Sequence, residues 1–156
     1  MADTSPDIAR LEPAVACEIE AVHDFISAWF RGDMPAEDDD FETGLAARLA
    51  PQLINVQPAG QILTRDELLT AIRKGHGANP AFGIEIRDVR IHGCFEDGNL
   101  VLASYTELQT GALNTNPSDN GRISTVLLQR KPGTDGFTWL HIHETATDTP
   151  AGSETI

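Results

Sequence analysis

The sequence predicts an α+β domain in which helices cover one face of an antiparallel sheet. Helical periodicity dominates the first half of the chain, and long alternating segments separated by turn residues make up the second half. Helices segregated from strands in this way are typical of α+β folds. The 156 residues suit a single core. We expect a loose arm over 1–13, one domain over 14–147 and a polar tail over 148–156.

The first helix is predicted from an apolar stripe. An apolar residue recurs at every third or fourth position, at Val15, Ile19, Val22, Ile26 and Trp29. Gly32 follows the last of them and is a typical helix end. The sequence therefore predicts a helix that begins after Pro13 and ends at Gly32.

Two further helices and a short strand are predicted before residue 80. The second helix is expected over 37–50, with an acidic first turn that favours a helix N-terminus and with buried positions at Phe41, Leu45 and Leu49. Residues 52–56 read as a short strand. Thr64 and Glu67 form a capping-box pattern, which predicts a third helix that ends near Gly75.

The rest of the chain is predicted to form four antiparallel strands. Alternating or apolar segments separated by turn residues predict strands over 83–95, 99–111, 121–131 and 137–147. In the first of them the apolar parity changes between Ile86 and Val89, which predicts a β-bulge near Arg87–Asp88. Two of the strands are apolar on both faces, although the helices can cover only one. We therefore expect a second subunit on the outer face, related by a two-fold axis.

Composition excludes several classes of function. The formal charge of -13 repels nucleic acid and anionic lipid, so we expect neither as a partner. The polar N-terminus shows no secretory signal, and Cys17 and Cys94 fit small buried thiols of a reducing compartment, so we expect a cytoplasmic protein. No nucleotide-binding or nucleophile-elbow motif is present, and we expect no cofactor.

Four segments, taken in order, resemble a known superfamily. They are AVHDFISAWFRGDM, LAARLAPQLINVQPAG, TRDELLTAI and FTWLHIHET, and together with the intervening residues they cover roughly 15–147. The set resembles the nuclear transport factor two-like, or SnoaL-like, superfamily, and its last segment is also similar to the association domain of calmodulin-dependent kinase. This resemblance implies a cone-shaped, cystatin-like fold: a strongly curved antiparallel sheet with a mixed edge, wrapped around three helices and a central pocket. It also implies a homodimer.

The same resemblance implies several activities, because the superfamily includes ketosteroid isomerases, polyketide cyclases, dehydratases and epoxide hydrolases. The isomerases need a carboxylate base and an oxyanion site of a tyrosine and a protonated aspartate, a case that serves as a standard example of pKa tuning. The matching positions here hold Gln57, Phe25 and Thr125. The sequence thus has the shape of an isomerase without its chemical groups.

The last strand raises the main question about function. Alternation places Leu140, Ile142 and Glu144 on one face and Trp139, His141 and His143 on the other. The kinase resemblance points the first face into the cone, where Glu144 is either an acid/base or a solvated group paired with an arginine such as Arg65 or Arg122. The two histidines then face the partner subunit. Two histidines one residue apart can also ligate a metal, but the neighbouring strand offers no third ligand. Only more distant residues such as Glu107 or His92 could supply one, so no metal is expected.

These observations lead to a specific set of expectations. The pocket is predicted to be lined by Phe25, Trp29, Gln57, Phe82, Leu102, Thr125 and Glu144. The dimer interface is predicted to contain Val126, Leu128, Trp139, His141 and His143. We expect the ligand to be a small, mostly apolar molecule with a few polar groups. Three hypotheses remain: a pocket protein, an enzyme of the cyclase, dehydratase or epoxide hydrolase kind that uses Glu144 as acid/base, and an association module without ligand.

Overall fold

The computed structural model describes residues 8–148, which form three helices and six strands. The helices are α1 (Ile8–Arg31), α2 (Asp38–Gly44) and α3 (Arg65–Lys74), with a 3-10 turn at Ala46–Arg48. The strands are β1 (Leu49–Val56), β2 (Ile62–Thr64), β3 (Gly83–Phe95), β4 (Leu100–Thr110), β5 (Asn120–Arg130) and β6 (Phe137–Thr147). None of the helices between residues 8 and 148 combines the length and apolar character needed to cross a membrane.

All six strands belong to one sheet, in the order β2-β1-β6-β5-β4-β3. The strands from β3 to β6 pair with their neighbours in sequence and are antiparallel. Strand β1 pairs with β6 in parallel, and the short β2 extends that edge. The helices pack on the inner face of this curved sheet, which confirms the predicted α+β cone.

Several local predictions are confirmed. The register between β3 and β4 shifts between Arg87 and Arg90, and Asp88 has a positive φ of 56°, so the predicted bulge is present. The side chain of Thr64 accepts a hydrogen bond from the backbone of Glu67, and the Glu67 side chain accepts one from the backbone of Thr64, so the capping box is complete. The helix that it opens ends at Lys74, before Gly75.

Two predicted helix limits are wrong. Helix α1 begins at Ile8, inside the segment expected to be a loose arm, and it contains Pro13. Tertiary contacts hold this first part in place, because Leu11 is buried in the core and the Glu12 carboxylate accepts a hydrogen bond from the backbone of Ile91. The predicted tail beyond Asp148, like residues 1–7, lies outside the described residues.

Helix α2 ends at Gly44 instead of continuing to residue 50. Phe41, Leu45 and Leu49 are buried as predicted, but only the first lies in the helix. Leu49 opens β1 and pairs with Trp139 of β6, so strand pairing replaces the helical turn that the spacing suggested. Pro51 lies within β1, where the pairing with β6 is interrupted.

A buried carboxylate ties three elements together in the core. Glu18 of α1 accepts hydrogen bonds from the indole nitrogen of Trp139 at 3.0 Å and from Arg48 Nη1 at 2.6 Å. Because the carboxylate is 9% exposed, these partners offset the cost of removing it from water. The contacts fix α1 against β6 and the 3-10 turn.

Three of the residues assigned to the dimer interface lie in the core instead. Val126, Leu128 and Trp139 are at most 1% exposed and belong to the main hydrophobic cluster. Val126 and Leu128 alternate regularly with buried Ser124 on the inner face of β5. A bulge in β6 brings Trp139 to that face, because Leu128 pairs with Trp139 whereas Leu127 pairs with His141. Alternation counted through this bulge assigns Trp139 to the wrong face. His141 and His143 share the outer face with Leu127 and Thr125, and their place in an interface remains a prediction.

The two leucines in the middle of β5 provide a test of these faces. Leu128→Ala leaves a cavity in the core and is expected to cost ~2–5 kcal/mol of unfolding free energy. Leu127→Ala, on the outer face of the same strand, is expected to cost only about 1 kcal/mol. Urea unfolding of both variants measures the difference. Equal losses would contradict the inward orientation of Leu128.

Candidate functional site

An internal cavity of about 190 Å³ lies between the helices and the inner face of the sheet. Its apolar wall comes mainly from α1, α3 and β6 and includes Val22, Ile26, Leu68, Ile72, Trp139 and Ile142. Its polar wall is formed by His23, Asn55, Gln57, Tyr105, Glu107, Gln109, Arg122 and Glu144. An apolar cavity with a few convergent polar groups is the usual form of a small-molecule site.

Strand β4 supplies the centre of the polar wall. Its inward positions alternate along the strand, with Val101 and Ala103 in the core and Tyr105, Glu107 and Gln109 after them. All of these side chains are buried. The inner face of β4 therefore belongs to the hydrophobic core in its first half and lines the cavity in its second half.

His23 and Glu107 form a buried pair at the cavity wall. His23 Nε2 lies 3.0 Å from Glu107 Oε1, and His23 Nδ1 lies 2.7 Å from the carbonyl oxygen of Ile19. A carbonyl oxygen can only accept, so Nδ1 carries a proton. A second proton lies between Nε2 and the Glu107 carboxylate. The hydroxyl of Tyr105 also approaches Nε2, at 3.4 Å.

The protonation of this pair follows from its surroundings. Burial lowers the pKa of His23, but the charge and hydrogen bond of Glu107 outweigh it and raise this pKa above 6.5. Burial raises the pKa of Glu107, but His23 and then Arg122 outweigh it and hold this pKa below 4.5. The proton is therefore assigned to His23, and the pair is an imidazolium and a carboxylate.

Arg122 connects this pair to a second carboxylate. Arg122 Nη1 lies 3.2 Å from Glu144 Oε1, and its Nε lies 3.9 Å from Glu107 Oε2. The other oxygen of Glu144 accepts a hydrogen bond from Asn55 Nδ2 at 3.2 Å. Gln109 completes the network, because its amide donates to Glu107 Oε2 at 2.5 Å and accepts from Arg122 Nη2 at 3.3 Å.

The two carboxylates are shifted in opposite directions. Burial, followed by the charge of Glu107, raises the pKa of Glu144 above 4.5, and the contacts with Arg122 and Asn55 only partly offset this rise. Glu107 stays ionised, while Glu144 holds its proton to higher pH than an ordinary glutamate. Such a split between neighbouring groups is the arrangement from which acid/base chemistry is built. Glu144 is the member that can exchange a proton with a molecule in the cavity.

Comparison with known proteins identifies the fold. No family model matches the chain, and no curated protein matches it. Among solved structures, an NTF2-like protein of unknown function from Pseudomonas aeruginosa is 27% identical, with a TM-score of 0.73 over 86% of this chain and 98% of the other. The chain has the NTF2-like fold.

Other solved NTF2-like structures share the fold at lower identity. A proposed dehydratase from Streptomyces avermitilis is 18% identical, with a TM-score of 0.65 over 91% of this chain and 99% of the other. The association domain of CaMKII from C. elegans is 13% identical, with a TM-score of 0.63 over 88% of this chain and 97% of the other. At these identities the likeness concerns the fold alone.

The NTF2-like cavity contains only part of the predicted pocket. Gln57, Phe82 and Glu144 line it. Phe25 and Trp29 do not, because they stack on each other within the helical layer and Trp29 is buried in the core. Leu102 and Thr125 also do not line it: Leu102 pairs with Leu127 and Thr125 pairs with His143, so both belong to the outer face of the sheet. Glu144 contacts Arg122, one of the two arginines that the sequence offers as its partner.

Sequence reasoning missed most of the polar wall, although two signals were present. His23 lies four residues after Ile19, and so on the buried side of α1. Tyr105, Glu107 and Gln109 continue the alternation of Val101 and Ala103. Asn55 is buried in β1 and gave no signal, because its role depends on the pairing with β6.

Within residues 8–148, no three His, Cys, Asp or Glu side chains are grouped so that they could hold an ion. His92, which was considered as a distant ligand, instead contacts the hydroxyl of Ser104 at 2.6 Å.

The His23–Glu107 pair predicts how stability depends on pH. A raised histidine pKa stabilises the fold fully below its unfolded value of 6.5, and this stabilisation is lost as the pH rises through the folded value. The free energy of unfolding should therefore fall above pH 6.5, by at most ~1.4 kcal/mol per pH unit for one proton. The stabilisation due to Glu107 has the opposite pH dependence: it is fully present above pH 4.5, the ordinary pKa of a glutamate, and is lost as the pH falls.

The variant Glu107→Gln removes the anion that raises the pKa of His23, so the decline above pH 6.5 should disappear. Urea unfolding at pH values between about 5 and 8 measures it. Glu20→Gln, on the exposed side of α1, is the control and should keep the decline. An unchanged decline in Glu107→Gln would contradict the assignment of the proton.

Proposed function

We propose that this protein binds a small, uncharged molecule that has an apolar body and at least one polar group. The cavity carries the proposal. It has a volume of about 190 Å³, and its apolar wall faces a cluster of polar side chains. A cluster of this kind is costly to bury, and apolar side chains in its place would stabilise the fold at least as well. Its presence in the cavity is explained by recognition of a ligand.

The charges of the cavity favour an uncharged ligand. The imidazolium of His23 faces the Glu107 carboxylate at 3.0 Å, and the guanidinium of Arg122 faces Glu144 at 3.2 Å. Each cation thus already has an anion as its partner. A further charge would be buried without a counterion, which is strongly unfavourable.

Polar groups that remain available point to a hydroxyl or carbonyl on the ligand. The side-chain amide of Gln57 makes no hydrogen bond to another group within residues 8–148. When protonated, Glu144 donates a hydrogen bond, and when ionised it accepts one. A ligand oxygen between these two groups can accept from the amide and either accept from or donate to the carboxyl.

Thermal unfolding with a matched series of probes tests this proposal. Cyclohexanone and cyclohexanol should raise the melting temperature, whereas cyclohexanecarboxylate and cyclohexylammonium should not. At a concentration one hundred times Kd, the stabilisation is about 2.7 kcal/mol. Glu144→Gln should weaken binding of the alcohol about tenfold, and Glu20→Gln should not change it. Preferential stabilisation by a charged probe would contradict the proposal.

A second candidate function is the removal of water from a hydroxylated ligand. The opposite pKa shifts of Glu107 and Glu144 favour it, because they leave one carboxyl that takes up and releases a proton. Ionised Glu144 would take the proton next to a carbonyl and pass the same proton to the departing hydroxyl. The carbon–oxygen bond breaks, a carbon–carbon double bond forms and water leaves, so no other reactant is required. The proposed dehydratase from Streptomyces avermitilis is consistent with this class.

Turnover of 3-hydroxycyclohexanone to cyclohexenone, followed by ultraviolet absorbance, separates an enzyme from a binding protein. An enzyme should lose about 100-fold or more of its rate on Glu144→Gln, while Glu20→Gln stays at the rate of the unmodified chain. Binding of cyclohexanone without turnover of the hydroxyketone would favour the binding protein.

Self-association through the outer face of the sheet forms the remaining part of the proposal. This face carries half-buried side chains in neighbouring strands, among them Ile54, Val56, Leu127 and His141, next to the exposed His143. The solved structures that share this fold include association domains, which supports self-association. If the face is covered in this way, the loss of stability in Leu127→Ala will depend on protein concentration.

A further inference from the structure

A second, larger chamber of about 780 Å³ adjoins the inner cavity. The two share part of their lining, including Gln57, Gln109 and Arg122. The two spaces are therefore direct neighbours, within reach of one ligand. The outer chamber is bounded by α3, by the turn after β1 and by the loop over 111–119.

The outer chamber has an unusual chemical lining for this protein. The chain contains 24 acidic residues, yet no carboxylate lines the chamber within the described residues. Arg122 is the charged residue of that lining. Most of the remaining polar groups are amides, namely Gln57, Gln61, Asn79, Gln109, Asn114, Asn116 and Asn120.

These amides fall into two groups. One group donates hydrogen bonds to other parts of the protein and consists of Asn79, Gln109 and Asn120. The side chains of Gln57, Gln61, Asn114 and Asn116, in contrast, make no hydrogen bond to other groups in the part of the chain that the structure describes. Each of the free amides offers two donors and one acceptor oxygen toward the chamber.

The loop that carries two of the free amides is held in place. Asn79 Nδ2 donates to the carbonyl of Gly111 at 2.6 Å, and the backbone nitrogen of Gly111 donates to Asp119 at 3.0 Å. The backbone nitrogen of Ala112 donates to the carbonyl of Ser118 at 2.9 Å. Both ends of the loop are thus anchored, on either side of Asn114 and Asn116, which line the chamber.

We propose that the ligand has a second, uncharged and polyhydroxylated part, of the glycosyl type, and that this part occupies the outer chamber. The inference rests on the proposed function, because it assigns the apolar part of the same ligand to the inner cavity. Hydroxyls match the free amides, since a hydroxyl donates and accepts at one atom and an amide does both at neighbouring atoms. An ionic group would find no free counterion there, because Arg122 is already paired with Glu144.

Isothermal titration with probes that share one apolar part tests the second part. Hexyl glucoside, below its micelle concentration, should bind about tenfold more tightly than hexanol. Hexanoate and hexyltrimethylammonium should bind no more tightly than hexanol. A tenfold gain corresponds to about 1.4 kcal/mol, a magnitude that one or two net hydrogen bonds can supply.

Variants then locate the gain. Gln61→Leu and Asn114→Leu should lower the affinity for hexyl glucoside toward that for hexanol, and they should leave the affinity for hexanol unchanged. Gln52→Leu is the matched control, because Gln52 is exposed and lines neither chamber. It should change neither affinity.

The outcomes separate this inference from the proposed function. Equal affinities for hexyl glucoside and hexanol would overturn the polyhydroxylated part and leave the binding role of the inner cavity standing. An affinity gain that survives both outer-chamber variants would also overturn it. Failure of every probe to bind would overturn both proposals.

Discussion

The interior of this protein is organised by the need to compensate charges that are buried inside the cone. His23, Glu107, Arg122 and Glu144 come from a helix and three different strands, and each touches a group of opposite sign. Removing one member would leave its partner as an uncompensated charge in a medium of low dielectric constant. The network therefore constrains how α1 and the sheet approach each other, and it also gives the cavity its chemistry. The same contacts place the two carboxylates under different influences, so that the pKa of Glu107 is lowered and the pKa of Glu144 is raised.

The position of that network depends on pairing at the edge of the sheet. Strand β1 runs parallel to β6, and this brings Asn55 opposite Ile142 and within 3.2 Å of Glu144. The bulge in β6 turns both Trp139 and Ile142 inward, so the strand contributes to the core at one end and to the cavity at the other. Glu18 binds the indole of Trp139 and stabilises the arrangement from the side of the helix. Backbone pairing, more than any single side chain, decides which residues meet in the cavity.

The two faces of the sheet suit different roles. The inner face holds the ionisable groups and borders an amide-lined chamber at Arg122, Gln57 and Gln109. The outer face is formed by residues such as Leu127, His141 and His143, which the core does not use. A ligand and a second subunit would thus bind on opposite sides of the same strands.

The sequence by itself determined the class of fold and the ends of most elements, because local signals suffice for these: the apolar stripe of α1, the capping box at Thr64 and the parity change that marks the bulge near Asp88. The resemblance to the kinase association domain, not a local pattern, pointed Glu144 toward the cavity. The sequence did not reveal the partners of Glu144, because His23, Asn55, Glu107 and Arg122 lie far apart along the chain and meet only when the sheet closes around α1. Counting alternation assigned Trp139 to the wrong face, since a one-residue bulge reverses the parity of every position before it. Tertiary structure decided the site because strand register and long-range charge pairing are properties of the assembled sheet, not of any segment within it.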